Sequence, residues 1–205
     1  MIQRPESNEE PADIPRLASL SYIERNVGVC HAMEGDWATA AMYFRAALKL
    51  MPGNATAHYL LGCCHQEEGL LDEAGSSHLR SVALDPDFKQ AYLALGSVRL
   101  LQGNYMQAVE TSRTCLFRHP DSPVASYTLG QAIYHLLSLG AVCTEMAEEL
   151  FDEGKSALGI AKQREPRQWS ESDESMLQFF LSSEGAQAKP KCQPSRAWKS
   201  FGYRP

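Results

Sequence analysis

The segment His58-Tyr59-Leu60-Leu61-Gly62-Cys63-Cys64-His65 gathers imidazole and thiol groups, the ligand types that hold zinc, into eight residues. Whether they can share a metal depends on the element that carries them. Residues 55 to 68 (ATAHYLLGCCHQEE) are helix formers ended by Gly69, with Asn54 placed to cap them. On a helix, His58 and His65 stand about 10.5 Å apart along the axis at about 1.5 Å per residue. Zinc needs ligands at ~2 Å, and the adjacent Cys64 and His65 point in different directions. Packing, not metal binding, is the expectation. Cys30-His31 is likewise a neighbour pair without the geometry of a thiolate and its base, and no third group orients it. No phosphate-cradling glycine loop, zinc-protease motif or nucleophile elbow occurs. The residues therefore predict no enzyme activity, no cofactor and no metal.

The elements that place these side chains repeat. Gly28, Gly62, Gly96 and Gly130 follow one another at intervals of 34 residues, and Pro52, Pro86 and Pro120 keep the same interval. Gly35, Gly69 and Gly103 fall in phase, as do Ala40, Ala74 and Ala108, and Val27, Leu61, Leu95 and Leu129. A 34-residue period of this kind marks stacked helix–turn–helix units. Asp36, Asn104 and Ser122 are placed as further helix caps, with Pro123 at a first helical position where its missing N–H is harmless. Connections are a few residues long, so paired helices must lie antiparallel. A mid-helix glycine costs about 1 kcal/mol relative to alanine. Close helix approach against Ala40, Ala74 and Ala108 is the expected compensation.

At these positions the chain resembles the tetratricopeptide-repeat (TPR) family. The first repeat reads Val27, Gly28, Trp37, Ala40, Phe44, Ala47, Pro52, and the third reads Leu95, Gly96, Tyr105, Ala108, Cys115, Pro120. The second keeps Leu61, Gly62, Ala74 and Pro86, but places His78 where Phe is usual and Ser81 where Ala is usual. The fourth opens with Tyr127, Leu129 and Gly130, then departs, its turn glycine arriving late as Gly140. The resemblance covers residues 19 to 160 and implies an all-α, right-handed α-solenoid of about four repeats with a C-terminal capping helix and extended tails. The repeats are read as 21-54, 55-88, 89-122 and 123-163 within a solenoid over 17-163. An acidic tail covers 1-16, a capping helix falls within 164-184, and a basic aromatic tail covers 185-205. The final repeat helix is read as lengthened, over 141 to 163. Trp169 to Leu181 reads as a short helix capped by Ser170 with Glu171, Asp173 and Glu174 in its first turn, and 170 to 182 as the lid on the repeats.

The chain has 205 residues and a formal net charge of −6. No stretch approaches the ~20 apolar residues of a membrane span. The opening MIQRPESNEEPADIP matches neither a secretory signal nor an Arg-rich presequence. Cys30, Cys63, Cys64, Cys115, Cys143 and Cys192 show no paired spacing, and five of them fall in predicted helices. That favours reduced thiols in a cytoplasmic or similar reducing compartment, with a ciliary or mitochondrial complex left open. Residues 185 to 205 hold Lys189, Lys191, Arg196, Lys199 and Arg204 and no acid, a charge of +5, so the remainder carries −6 − 5 = −11. A phosphate backbone would be repelled by that body, which argues against nucleic acid.

The resemblance implies a concave face lined by the first helix of each pair. Carried onto this chain, it selects Tyr22, Arg25, Val29, Tyr59, Leu60, Cys63, Leu93, Leu101, Tyr127, Gln131 and Tyr134. To these the tail adds Trp198, Phe201 and Tyr203 as partner-binding residues. The family's clamp for chaperone C-terminal carboxylates falls on Arg25, Val29, Leu60, Gln90 and Ala94, or one repeat later on Tyr59, Cys63, Ala94, Val124 and Thr128. Only Arg25 suits a carboxylate, which cannot be desolvated without partners. The sequence thus reads as a non-catalytic scaffold or adaptor whose groove takes an apolar peptide or helix of another subunit. The alternative is a structural subunit of a large assembly, anchored mainly by its N- and C-terminal tails. The tail's aromatic residues could serve either the chain's own groove or a neighbour's.

Overall fold

The computed structural model describes residues 13–140, 142–165 and 169–182. Trp198, Phe201, Tyr203 and the rest of the basic tail lie outside them. The described residues form helices and no strands: α1 Asp13–Met33, α2 Trp37–Leu50, α3 Ala55–Glu67, α4 Leu71–Leu84, α5 Lys89–Leu101, α6 Tyr105–Arg118, α7 Pro123–Ser138, α8 Thr144–Arg164 and α9 Glu171–Leu181. None of the described helices is long and apolar enough to cross a membrane. Their contacts group into two compact units that divide between Ala91 and Tyr92, within α5. Repeats touch mainly their neighbours, so contacts thin out along such a chain.

The 34-residue beat is a repeated helix stop. Gly35 has φ +81°, its N–H donates to Ala32 O, and the Asp36 N–H donates to His31 O. The same pair of bonds recurs from Gly69 and Leu70 to Gln66 and His65, and from Gly103 and Asn104 to Leu100 and Arg99. Each satisfies two carbonyls left over at a helix end, and the left-handed conformation suits only glycine without strain. Asp36, Asn54 and Ser122 accept the N–H of Thr39, Ala57 and Ala125 as helix caps. Asn104 does not: its side chain turns back to donate to Gln102.

Three boundaries differ from the sequence reading. α1 begins at Asp13, inside the stretch read as tail, because Pro15 falls in its first turn, where no N–H is required. α8 begins at Thr144, not 141, since Val142 is drawn into the core and Cys143 stands at the N-cap instead of within the helix. α9 starts one residue after Ser170, which closes a reciprocal capping box with Asp173.

The mid-helix glycines face large side chains more than alanines. A Cβ on Gly28 would lie 2.8 Å from Phe44 and 3.2 Å from the Ala40 carbonyl. One on Gly62 would meet the His78 ring at 2.5 Å, and one on Gly130 would meet Leu158 at 2.4 Å. The side chain four residues beyond Ala40 or Ala74 fills the notch of Gly28 or Gly62, so the small residue admits a large partner.

In the first unit, Ala40, Ala41 and Phe44 of α2 pack with Leu61 and Cys64 of α3. In the second, Leu129, Ile133, Leu150, Leu158, Met176, Leu177 and Phe180 share one core with Ala108 and Val109. α9 is therefore bedded on α7 and α8.

Candidate functional site

In the first unit the expected lining belongs to α1 and α3. Tyr22 is 57% exposed and carries the Arg25 guanidinium 4.7 Å from its ring centre. Val29 is half-buried, and Met33, one turn on, is 84% exposed. On α3, Tyr59, Leu60 and Cys63 are each half-buried. The Tyr59 ring meets Phe88 edge-on at 5.2 Å and lies 5.7 Å from His78. Burial, reinforced by the neighbouring Cys63 thiol, pushes the Tyr59 phenol up to about 12, and burial likewise raises Cys63. Neither is poised as a nucleophile at neutral pH.

In the second unit Leu93 is half-buried and Leu101 is 63% exposed. Tyr127, Gln131 and Tyr134 are engaged within the chain. The Tyr127 hydroxyl donates to Asp173 at 2.5 Å and accepts from the Gln131 amide at 3.1 Å. Tyr134 meets Phe179 edge-on at 5.1 Å. These three side chains hold α9 in place. Burial and the Asp173 carboxylate together push the Tyr127 phenol well above its usual range. Burial also opposes ionisation of Asp173, but bonds from Tyr127 and Ser170 outweigh it and hold that carboxyl below its ordinary value.

Asp173 and Trp169 escape the sequence reading as site residues. With Pro123, Val124, Tyr127, Ala161 and Glu165 they line a cavity of about 190 Å³. Asp173 is recognisable in retrospect as the fourth residue of Ser170-Glu171-Ser172-Asp173, a capping-box spacing. Its oxygens are committed to Tyr127 and Ser170, and the Trp169 N–H donates to Glu174. The space suits one side chain and offers no nucleophile.

The imidazoles and thiols near position 60 disperse. His58 Nε2 donates to the Pro52 carbonyl. Arg45 donates to His65 Nε2 at 2.9 Å, which assigns the proton to Nδ1, facing Ser77 Oγ at 3.4 Å. Ser77 in turn donates to Glu73 O. Cys64 is buried, and its thiol is pushed up to about 11 chiefly by that burial. Among the described residues no three His, Cys, Asp or Glu side chains are grouped to hold a metal ion. Cys30 is exposed, while the neighbouring His31 stacks on Tyr43 at 5.3 Å.

Comparison with known proteins accords with the repeat geometry. A tetratricopeptide-repeat family model matches residues 31–76. A solved structure of MamA protein covers 82% of this chain and 86% of its own, with TM-score 0.67 at 20% identity. The fold is that of a tetratricopeptide-repeat solenoid. A second solved TPR structure, the first TPR of Spaghetti (RPAP3) bound to an HSP90 peptide, covers 56% of this chain and 91% of its own, with TM-score 0.54 at 16% identity. A curated mouse relative, Protein O-mannosyl-transferase TMTC1, is 29% identical over 60% of this chain. This chain spans only 13% of that relative's length.

Proposed function

We propose that this TPR protein is a non-catalytic interaction module, and that α1 and α3 of its first unit receive an apolar peptide or helix of a partner protein. The observation that carries this reading is the exposure of Tyr22 and Met33, at 57% and 84%, on the first-helix face. Large apolar groups left in water there become favourable once covered, each contributing roughly 1.5–3 kcal/mol. Two or three such anchors, after ordering costs, support an affinity near micromolar. Val29, Leu60 and the half-buried edge of Tyr59 extend the surface, and Arg25 offers one charge beside it. Leu93 and Leu101 offer a smaller apolar surface in the second unit.

A chaperone C-terminal carboxylate does not suit this face, because Val29, Leu60 and Cys63 supply no cation where two carboxylate groups would need them. The thiols of Cys30, Cys63, Cys64 and Cys143 fit a reducing, cytosol-like compartment. Anchoring through residues 185–205 is a second reading, supported by their +5 charge against a −11 remainder. Deleting them should release the chain from its assembly.

The test is affinity purification of the full chain beside Tyr22→Ala plus Met33→Ala, with crosslinking to place the contact. Both positions are exposed, so helicity should be unchanged. Loss of a co-purifying protein that crosslinks to α1 or α3 is the expected result. Undiminished recovery of every partner would overturn the reading.

A further inference from the structure

Residues 34 apart occupy equivalent places in successive repeats, so the surroundings of α3 and α7 show what α1 lacks. Leu61 and Cys64 of α3 pack on Ala40, Ala41 and Phe44 of the preceding α2. Leu129 and Ala132 of α7 share a core with Ala108 and Val109 of the preceding α6. The corresponding residues of α1 are Val27 and Cys30. Ile23 likewise corresponds to Ala57 and Ala125, both fully buried. Yet Ile23 is 55% exposed, Leu20 41%, and Cys30 is exposed. α1 meets α2 through Ser21, which donates to Ala47 O, and through Gly28, which receives Phe44. At about 100° per residue, Ile23 lies about 200° around the helix from Ser21, on the far side. No described helix precedes α1.

The composition of this stripe, exposed except for the half-buried Val27, selects its occupant. Arg16, Leu20, Ile23, Val27, Cys30 and Glu34 follow one another at helical spacing and are symmetric about position 25. Two such stripes laid antiparallel set Ile23 against Val27, Leu20 against Cys30, and Arg16 against Glu34, twice over. Apolar residues meet apolar ones at the centre, and opposite charges meet at both ends. A two-fold interface needs this self-complementarity. We propose that α1 pairs with α1 of a second copy of this chain about a two-fold axis beside residue 25.

The contact is a face of its own, apart from the Tyr22 and Met33 surface. A single helix pair is small as an interface, so the dimer should be reversible. Sedimentation equilibrium of the full chain should show the mass rising with concentration from 22.7 kDa towards twice that value. Ile23→Glu should hold the monomer mass with an unchanged helical circular-dichroism signal, and maleimide capping of Cys30 should do the same. Arg16→Glu sets like charges together at both ends and should weaken association about tenfold. Adding Glu34→Arg should restore it. Wild-type chain that stays monomeric at concentrations on the order of 500 μM, well above the micromolar range of weak specific contacts, would overturn the proposal. So would a dimer indifferent to Ile23→Glu, or a double charge variant that fails to recover.

Discussion

His78 occupies the place that Phe44 takes in the first hairpin, packed into the notch of a mid-helix glycine. Its ring is fully buried, and neither nitrogen has a hydrogen-bond partner. Burial first, and the nearby His65 second, depress its pKa from 6.5 to about 4. The folded chain therefore keeps His78 neutral where the unfolded chain protonates it. This contribution to stability is intact above pH 6.5 and is lost as pH falls towards 4. At most it changes by about 1.4 kcal/mol per pH unit, on the order of 3 kcal/mol in all. His78→Phe removes the proton uptake and two unsatisfied nitrogens, and should gain about 1–2 kcal/mol at neutral pH. Urea unfolding from pH 7.5 to 4.5 would show it, with an acid limb flatter by one proton. An equally steep limb would assign the acid sensitivity to other groups. Ser81, the other departure in this repeat, is accommodated: its hydroxyl donates to Ala55 O, much as Ser21 donates to Ala47 O in the first repeat. The two departures look alike in sequence, and only the packing separates them.

The same glycine letter does opposite work in different helices. In α7 a Cβ on Gly130 would stand 2.4 Å from Leu158, and in α8 one on Gly154 would stand 2.7 Å from Phe180. Gly159, also in α8, has nothing within 4 Å of such an atom. Gly130→Ala should destabilise by about 1–3 kcal/mol despite better helix propensity, because the core must shift to admit a methyl. Gly159→Ala should stabilise by about 1 kcal/mol, because only propensity changes. Denaturant midpoints of the two variants should move in opposite directions. The period showed that Gly130 mattered, but its partner lies 28 residues away in a helix that has left the repeat register. That contact was therefore not legible. α9 was legible in outline, from Ser170, its acidic first turn and its apolar residues, yet its hold on Tyr127 and Tyr134 was not. The family's inner-face positions gave no sign that these tyrosines face a helix of the same chain.

For the molecule as a whole, the period fixed helix pairing and the glycine stops, since local hydrogen bonds and short connections leave few alternatives. It could not show which exposed apolar residues remain for partners. That depends on packing between elements, and the outcome differs between Tyr22, left open, and Tyr134, covered by Phe179. Helices in such stacks are stabilised chiefly by their neighbours, so a lesion should stay local. Phe180 tests this. It is 1% exposed and touches Phe151, Phe179 and the Gly154 notch. Phe180→Ala should cost about 3–5 kcal/mol where it packs. If stability is summed from nearest-neighbour terms, native-state hydrogen exchange should quicken through α7, α8 and α9 and leave α1 and α2 near their wild-type rates. Equal acceleration in α1 and α2 would mean that the chain unfolds as one cooperative block. A partner seated on Tyr22 and Met33 should then slow exchange in α9 as well as in α1 and α3.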